Sequence, residues 1–103
     1  MPILSIMKMS GDPDELAAKL REHVAPVARR LAPGHGGLGN IVCRTDDGVL
    51  AINLWENDEG RHAMAAEPEI QQALMSSGLP QPDFEGYEVV AMTILPAAVR
   101  EAI

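Results

Sequence analysis

The chain has 103 residues, 47% of them hydrophobic and 22% charged, with 8 Lys and Arg against 15 Asp and Glu for a formal net charge of −7. That length predicts a single domain, and an acidic balance with no basic run longer than Arg29-Arg30 excludes a surface for nucleic acid or anionic membrane, because phosphate contacts need clustered positive charge. A lone cysteine, Cys43, excludes an internal disulfide and a cysteine-rich zinc site, and no apolar stretch approaches the roughly 20 residues of a membrane span, so a cytoplasmic protein is the expectation.

The elements follow in chain order. "PILSIMKM", from Pro2 to Met9, is short, apolar and stopped by Ser10-Gly11, which predicts a strand. "DPDEL" then opens a helix: Asp12 caps it, Pro13 suits its first turn, and Asp14 and Glu15 sit at the positive end of its dipole. Leu16, Leu20, Val24, Val27 and Leu31 form one apolar stripe along it. Pro26 lies inside that stripe and frees the carbonyl four residues earlier, predicting a kink or an early end near Ala25.

"APGHGGLGN", from Ala32 to Asn40, reads as a loop, and "IVCRT" as the next strand. Asp47-Gly48 predicts a two-residue hairpin turn, with "VLAINLW", Val49 to Trp55, returning. A second helical region follows, capped by Asn57 or Asp58, interrupted at Pro68 and ended by Gly78. "LPQPDFEG" is an extended connection, and "YEVVAMTIL", Tyr87 to Leu95, is the last strand. The order strand, helix, strand, strand, helix, strand predicts an α+β, ferredoxin-like βαββαβ domain spanning residues 1–103, with a four-stranded antiparallel sheet and both helices on one face.

The predicted turn sets Cys43 opposite Ile52 and Ile41 opposite Leu54 on one face, and Arg44 opposite Ala51 and Val42 opposite Asn53 on the other. The purely apolar face is assigned to the helices. The open side then carries Ser5, Met7, Val42, Arg44, Asn53, Trp55, Ala91, Thr93 and Leu95, too apolar to remain in water. A chain of this size buries only about two thirds of its unfolded surface, so a self-complementary partner is the expected cover.

A tryptophan ending the third strand, "ENDEG" opening a helix, and "AAEPEIQQAL" with Pro68 and Gln71 together resemble the dimeric α/β barrel superfamily, which includes antibiotic-biosynthesis monooxygenase-like proteins and small uncharacterised actinobacterial members. The resemblance implies a homodimer in which two sheets face one another across a twofold axis and enclose one cavity per subunit. It also implies where relatives that degrade haem place a histidine on the second helix; here that position is Met64, with His62 on another side of the helix, and the first strand lacks the asparagine of those relatives. Haem is therefore disfavoured, and no cofactor and no metal are expected.

The candidate substrate-binding residues are Asn53, Trp55, Arg44, Ser5 and Thr93. Trp55 offers a planar surface with a polar N–H, or else it plugs the interface. Asn53 is a buried amide in need of partners and Arg44 a cation for a carboxylate or phenolate, while Ser5 and Thr93 are minor polar lining. No general base stands out, because His23, His35 and His62 read as surface histidines. Cys43 falls on the apolar face as an inert thiol, and Asp14, Glu15, Asp58, Glu59, Glu67 and Glu69 show no metal-ligand spacing.

The expectation is a protein that takes a small aromatic or polyketide-like ligand, either as the cofactor-independent monooxygenase or cyclase that the resemblance implies or as a non-catalytic binding or structural dimer. A minor alternative is a tautomerase whose base is Pro2, exposed at the N-terminus once Met1 is removed.

Overall fold

The computed structural model describes residues 1–93. Strand β1 (Ile3–Ser10) leads into helix α1 (Pro13–Lys19), a π turn (Leu20–Val24) and helix α2 (Ala25–Leu31). After a 3-10 turn (Ala32–His35) come β2 (Gly37–Thr45), β3 (Gly48–Trp55), helices α3 (Asp58–Ala65) and α4 (Pro68–Ser76), and β4 (Asp83–Glu88). The sheet order β2-β3-β1-β4, antiparallel throughout, is the predicted ferredoxin-like arrangement with the helices on one face.

Local chemistry places the helix boundaries. The Asp12 carboxylate accepts the Glu15 N–H at 3.3 Å with Pro13 in the first turn, and Asn57 accepts the Gly60 N–H at 2.7 Å. Pro26 has no N–H to offer the Glu22 carbonyl, and the distortion takes the form of the π turn, in which the Ala25 N–H reaches back to the Leu20 carbonyl.

Four expectations are corrected. The hairpin turn is Asp46-Asp47, between paired Thr45 and Gly48, so Cys43 meets Leu50 and Ile41 meets Ile52. Gly48 belongs to the strand because β1 crosses close against it: a Cβ there would lie 1.9 Å from the Met9 carbonyl oxygen. β2 begins at Gly37 rather than Ile41, with a register irregularity between Gly37 and Gly39.

Among the described residues the last strand is Asp83–Glu88, where Tyr87–Leu95 was expected. β1 starts at Ile3, which pairs with Glu88, and only the Val89 N–H bond to the Pro2 carbonyl extends the ladder further. Ala91 and Thr93 are exposed and outside any strand, while Ile94 and Leu95 lie outside the described residues.

The fourth correction concerns the faces. Trp55 is only 7% exposed and packs with Ile3, Met64 and Ile70, against Val27, Ala28 and Leu31 of α2. A second cluster gathers Met9 and Val49 with Leu16 and Leu20. The odd-numbered residues of β1 and β3 therefore face the helices, and Leu4, Ile6, Leu50, Ile52 and Leu54 form the open face with Ile41 and Tyr87, which are 55% and 53% exposed.

Candidate functional site beneath the helical layer

The two core clusters are separated on the sheet by a row of residues with little apolar surface. Asn40, Asn53, Ser5 and Gly86 are successive partners across all four strands, so their side chains share the helix-facing side of the sheet. On one flank run Val42, Ala51, Met7 and Phe84, and on the other Trp55 and Ile3. Leu74 packs against both core clusters and spans the division.

Within this row each polar group has an assigned task. The Trp55 indole N–H donates to the Ser5 hydroxyl oxygen at 3.1 Å in buried surroundings, Ser5 being 4% exposed. The Asn40 amide donates to the Asn53 side-chain carbonyl at 2.6 Å. That bond uses one lone pair of the Asn53 oxygen and leaves its Nδ2 donor without a protein partner among the described residues. Asn53 is half-buried, so this donor lies at the edge of the core.

Arg61 of α3 closes the β4 end. Its guanidinium lies across Gly86, where a Cβ would meet Cζ at 3.2 Å, Nη2 at 3.3 Å and Nη1 at 3.4 Å. Asp58 holds it, accepting from Nε and Nη2 at 2.8 Å each. Those hydrogen bonds are the main reason that the Asp58 carboxyl titrates below its ordinary range, with the charges of Arg61 and His62 adding to them.

The remaining predicted residues lie elsewhere. Arg44 is on the helix side, but at the sheet's end, in an exposed ion pair with Asp14 at 2.6 Å. Thr93 is off the sheet. Met64 fills the core beside Trp55, and His62 stands exposed on α3, bonded to Asp58 at 3.1 Å. Pro2 gives its carbonyl to the Val89 N–H at 2.9 Å, just ahead of the central strand β1.

Sequence reasoning passed over two features. His35 is bonded through Nε2 to Glu67 at 2.8 Å, and both side chains are partly buried. His35 also lines a cleft of about 370 Å³ with Glu56, Asn57, Glu59 and Gly60. Its only signals were the glycines around it: Gly36 has φ +77°, and a Cβ on Gly60 would lie 2.0 Å from the His35 carbonyl oxygen. The second feature is the Arg61 seat on Gly86, signalled by a glycine inside a strand.

No protein-family model matches the chain, and no curated protein matches it. Solved structures do. A protein of Deinococcus radiodurans, provisionally assigned as an antibiotic biosynthesis monooxygenase, superposes with a TM-score of 0.66 at 23% identity, covering 91% of this chain and 99% of that one. SnoaB, a cofactor-independent oxygenase of Streptomyces nogalater, gives a TM-score of 0.67 at 15% identity, with 88% and 95% covered. A haem-degrading protein of Mycobacterium tuberculosis gives 0.63 at 23% identity, with 90% and 99% covered. The chain has the fold of the antibiotic biosynthesis monooxygenase-like proteins.

Proposed function

We propose that the protein binds a small, flat, aromatic or polyketide-like molecule along the Asn53 row and acts on it as a cofactor-independent monooxygenase or cyclase. The observation that carries this reading is the Asn53 amide, half-buried between apolar flanks, with one lone pair of its oxygen already used and its donor open. Such a donor orients a ligand carbonyl or oxyanion, and it is strongest where water is scarce. Trp55 supplies a wall rather than a hydrogen bond, because its N–H is committed to Ser5.

The chemistry open to such a site needs a substrate with an activated CH₂ group. Once that carbon has lost a proton it passes electrons to dioxygen; one oxygen atom stays on the carbon as a ketone and the other leaves as water with the two hydrogens. The likeness to SnoaB supports this class. Binding without turnover is the second reading. It is favoured by the lack of a free base among the described groups on the row, since the Asp58 carboxylate beside Arg61 is tied to Arg61 and His62.

The open face of the sheet enters the same proposal as a homodimer interface. Its centre is Leu4, Ile6, Ile52 and Leu54, with nothing charged for a foreign partner to read. On its rim Lys8 and Glu85 form an ion pair at 3.7 Å, and opposite charges side by side are self-complementary across a twofold axis.

Calorimetric titration of 2-naphthol and anthrone into the wild type and Asn53→Ala, with oxygen uptake followed in parallel, tests the reading. Binding weakened about tenfold or more by Asn53→Ala supports the site, since one lost hydrogen bond to a ligand is worth about 1 to 2 kcal/mol. Equal binding by both proteins would remove it, and binding with no oxygen uptake would leave the non-catalytic reading.

A further inference from the structure

We infer that Arg61, seated on Gly86, makes this site selective for ligands that carry a carboxylate or comparable oxyanion. The inference rests on the ligand row proposed above and specifies what that row would accept.

Gly86 lies within β4, and its φ is not in the left-handed range where L side chains are strained. Backbone conformation therefore gives no reason for glycine. Space does: the three guanidinium atoms Cζ, Nη1 and Nη2 lie at nearly equal distances, 3.2 to 3.4 Å, from the position that a Cβ would take. The planar group rests on the strand, and a Cβ at position 86 would press on it, so that the guanidinium would have to give by a few tenths of an ångström.

The cation is also aimed. Asp58 takes the Nε and Nη2 edge, and Nη2 makes a further 3.3 Å contact with the His62 ring. Nη1 has no partner among the described residues. Gly86 is the register partner of Ser5, and Ser5 that of Asn53, so the strand position that the guanidinium covers belongs to the same cross-strand row. Ser5 receives the Trp55 N–H and keeps its own proton to donate.

The Asn53 amide, the Ser5 hydroxyl and the guanidinium seated on Gly86 thus belong to one row across the sheet. A flat molecule with an oxygen at one end and a carboxylate at the other matches that row. The Arg61 side chain is only 22% exposed, so water competes weakly for it. In a chain of net charge −7 a partly buried cation above a glycine is placed against the general field, which otherwise repels acids.

The test compares 6-hydroxy-2-naphthoate with its neutral twin 6-hydroxy-2-naphthamide by calorimetry, in the wild type, Arg61→Gln, Arg61→Lys and Gly86→Ala, with circular dichroism confirming that each folds. The wild type should bind the acid about tenfold more tightly than the amide. Arg61→Gln should erase the difference, Arg61→Lys should restore part of it, and Gly86→Ala should weaken the acid while sparing the amide. Equal affinity for acid and amide in the wild type, or a preference that survives Arg61→Gln, overturns the inference and leaves the pocket standing. If neither compound binds, the pocket and the inference fall together.

Discussion

The Trp55 indole N–H and the Ser5 hydroxyl, 50 positions apart in the chain and adjacent in the sheet, share a 3.1 Å hydrogen bond in the core beneath the helices. Ile3 rather than Ser5 is the direct register partner of Trp55, so the indole reaches diagonally along the sheet to find its acceptor. Ser5→Ala removes that acceptor and leaves a buried N–H unpaired, which should cost about 1 to 3 kcal/mol in urea unfolding. Asn53→Ala, whose partner Asn40 is exposed, should cost less than about 1 kcal/mol. The reverse ranking would mean that the indole bond contributes nothing to the fold.

Two glycines make a paired prediction. A methyl on Gly60 would sit 2.0 Å from the His35 carbonyl oxygen, whereas Gly39 has nothing within 4 Å of its Cβ position. Gly60→Ala must push the His35 turn off α3 and should lower stability by about 1 to 3 kcal/mol, as overpacking does. Gly39→Ala should change it by no more than about 0.5 kcal/mol. Thermal melts read this directly, since 1 kcal/mol moves the midpoint of a domain this size by about 4 to 8 °C.

The Arg61 tether has a titration signature. The Asp58 carboxyl is lowered from 3.8, first by the Arg61 hydrogen bond. A carboxylate with a depressed folded-state pKa stabilises the fold above the unfolded value, and that contribution is lost as pH falls through the folded one. The Asp58 side-chain carbonyl carbon, followed by NMR, should therefore show its midpoint below 3.8, and Arg61→Gln should move it upward. A midpoint that ignores the substitution would mean that the pair does not persist in solution.

The open face makes a prediction about assembly. Ile52 lies at its centre between Ile6 and Ile41. Ile52→Asp should leave the helical side intact and convert a dimer to a monomer in sedimentation, because an unpaired carboxylate in an apolar interface is expensive. A wild type that sediments as a monomer at micromolar concentration would contradict the proposed cover.

The element order, the Asp12 and Asn57 caps and the consequence of Pro26 were all legible in the sequence, because each depends on neighbours within a few residues. Alternation along β1 and β3 also showed correctly which residues share a face. It could not show which face the helices cover, since both faces carry apolar residues and the choice depends on shape. Ser5, Ala51 and Gly86 are small and let the helical layer approach, whereas the Leu and Ile residues of the opposite face stand tall. Adding Ile3 and Met9 to the Ser5 side would have tipped the balance. The position of β4 was hidden for a similar reason: "VVAMTIL" is the better strand former, but where β1 begins decides which residues find a partner.

The proposed function requires that a ligand enter between the helices and the sheet, at the Asn53 row. The most direct measurement is a two-dimensional NMR titration with 6-hydroxy-2-naphthoate that follows the Asn53 side-chain amide, the Trp55 indole N–H and the Ile6, Ile52 and Leu54 methyls together. The account predicts saturable shifts at Asn53 and Trp55, with the open-face methyls unmoved. Shifts confined to the methyls of Ile6, Ile52 and Leu54 would place the ligand on the opposite face and contradict it.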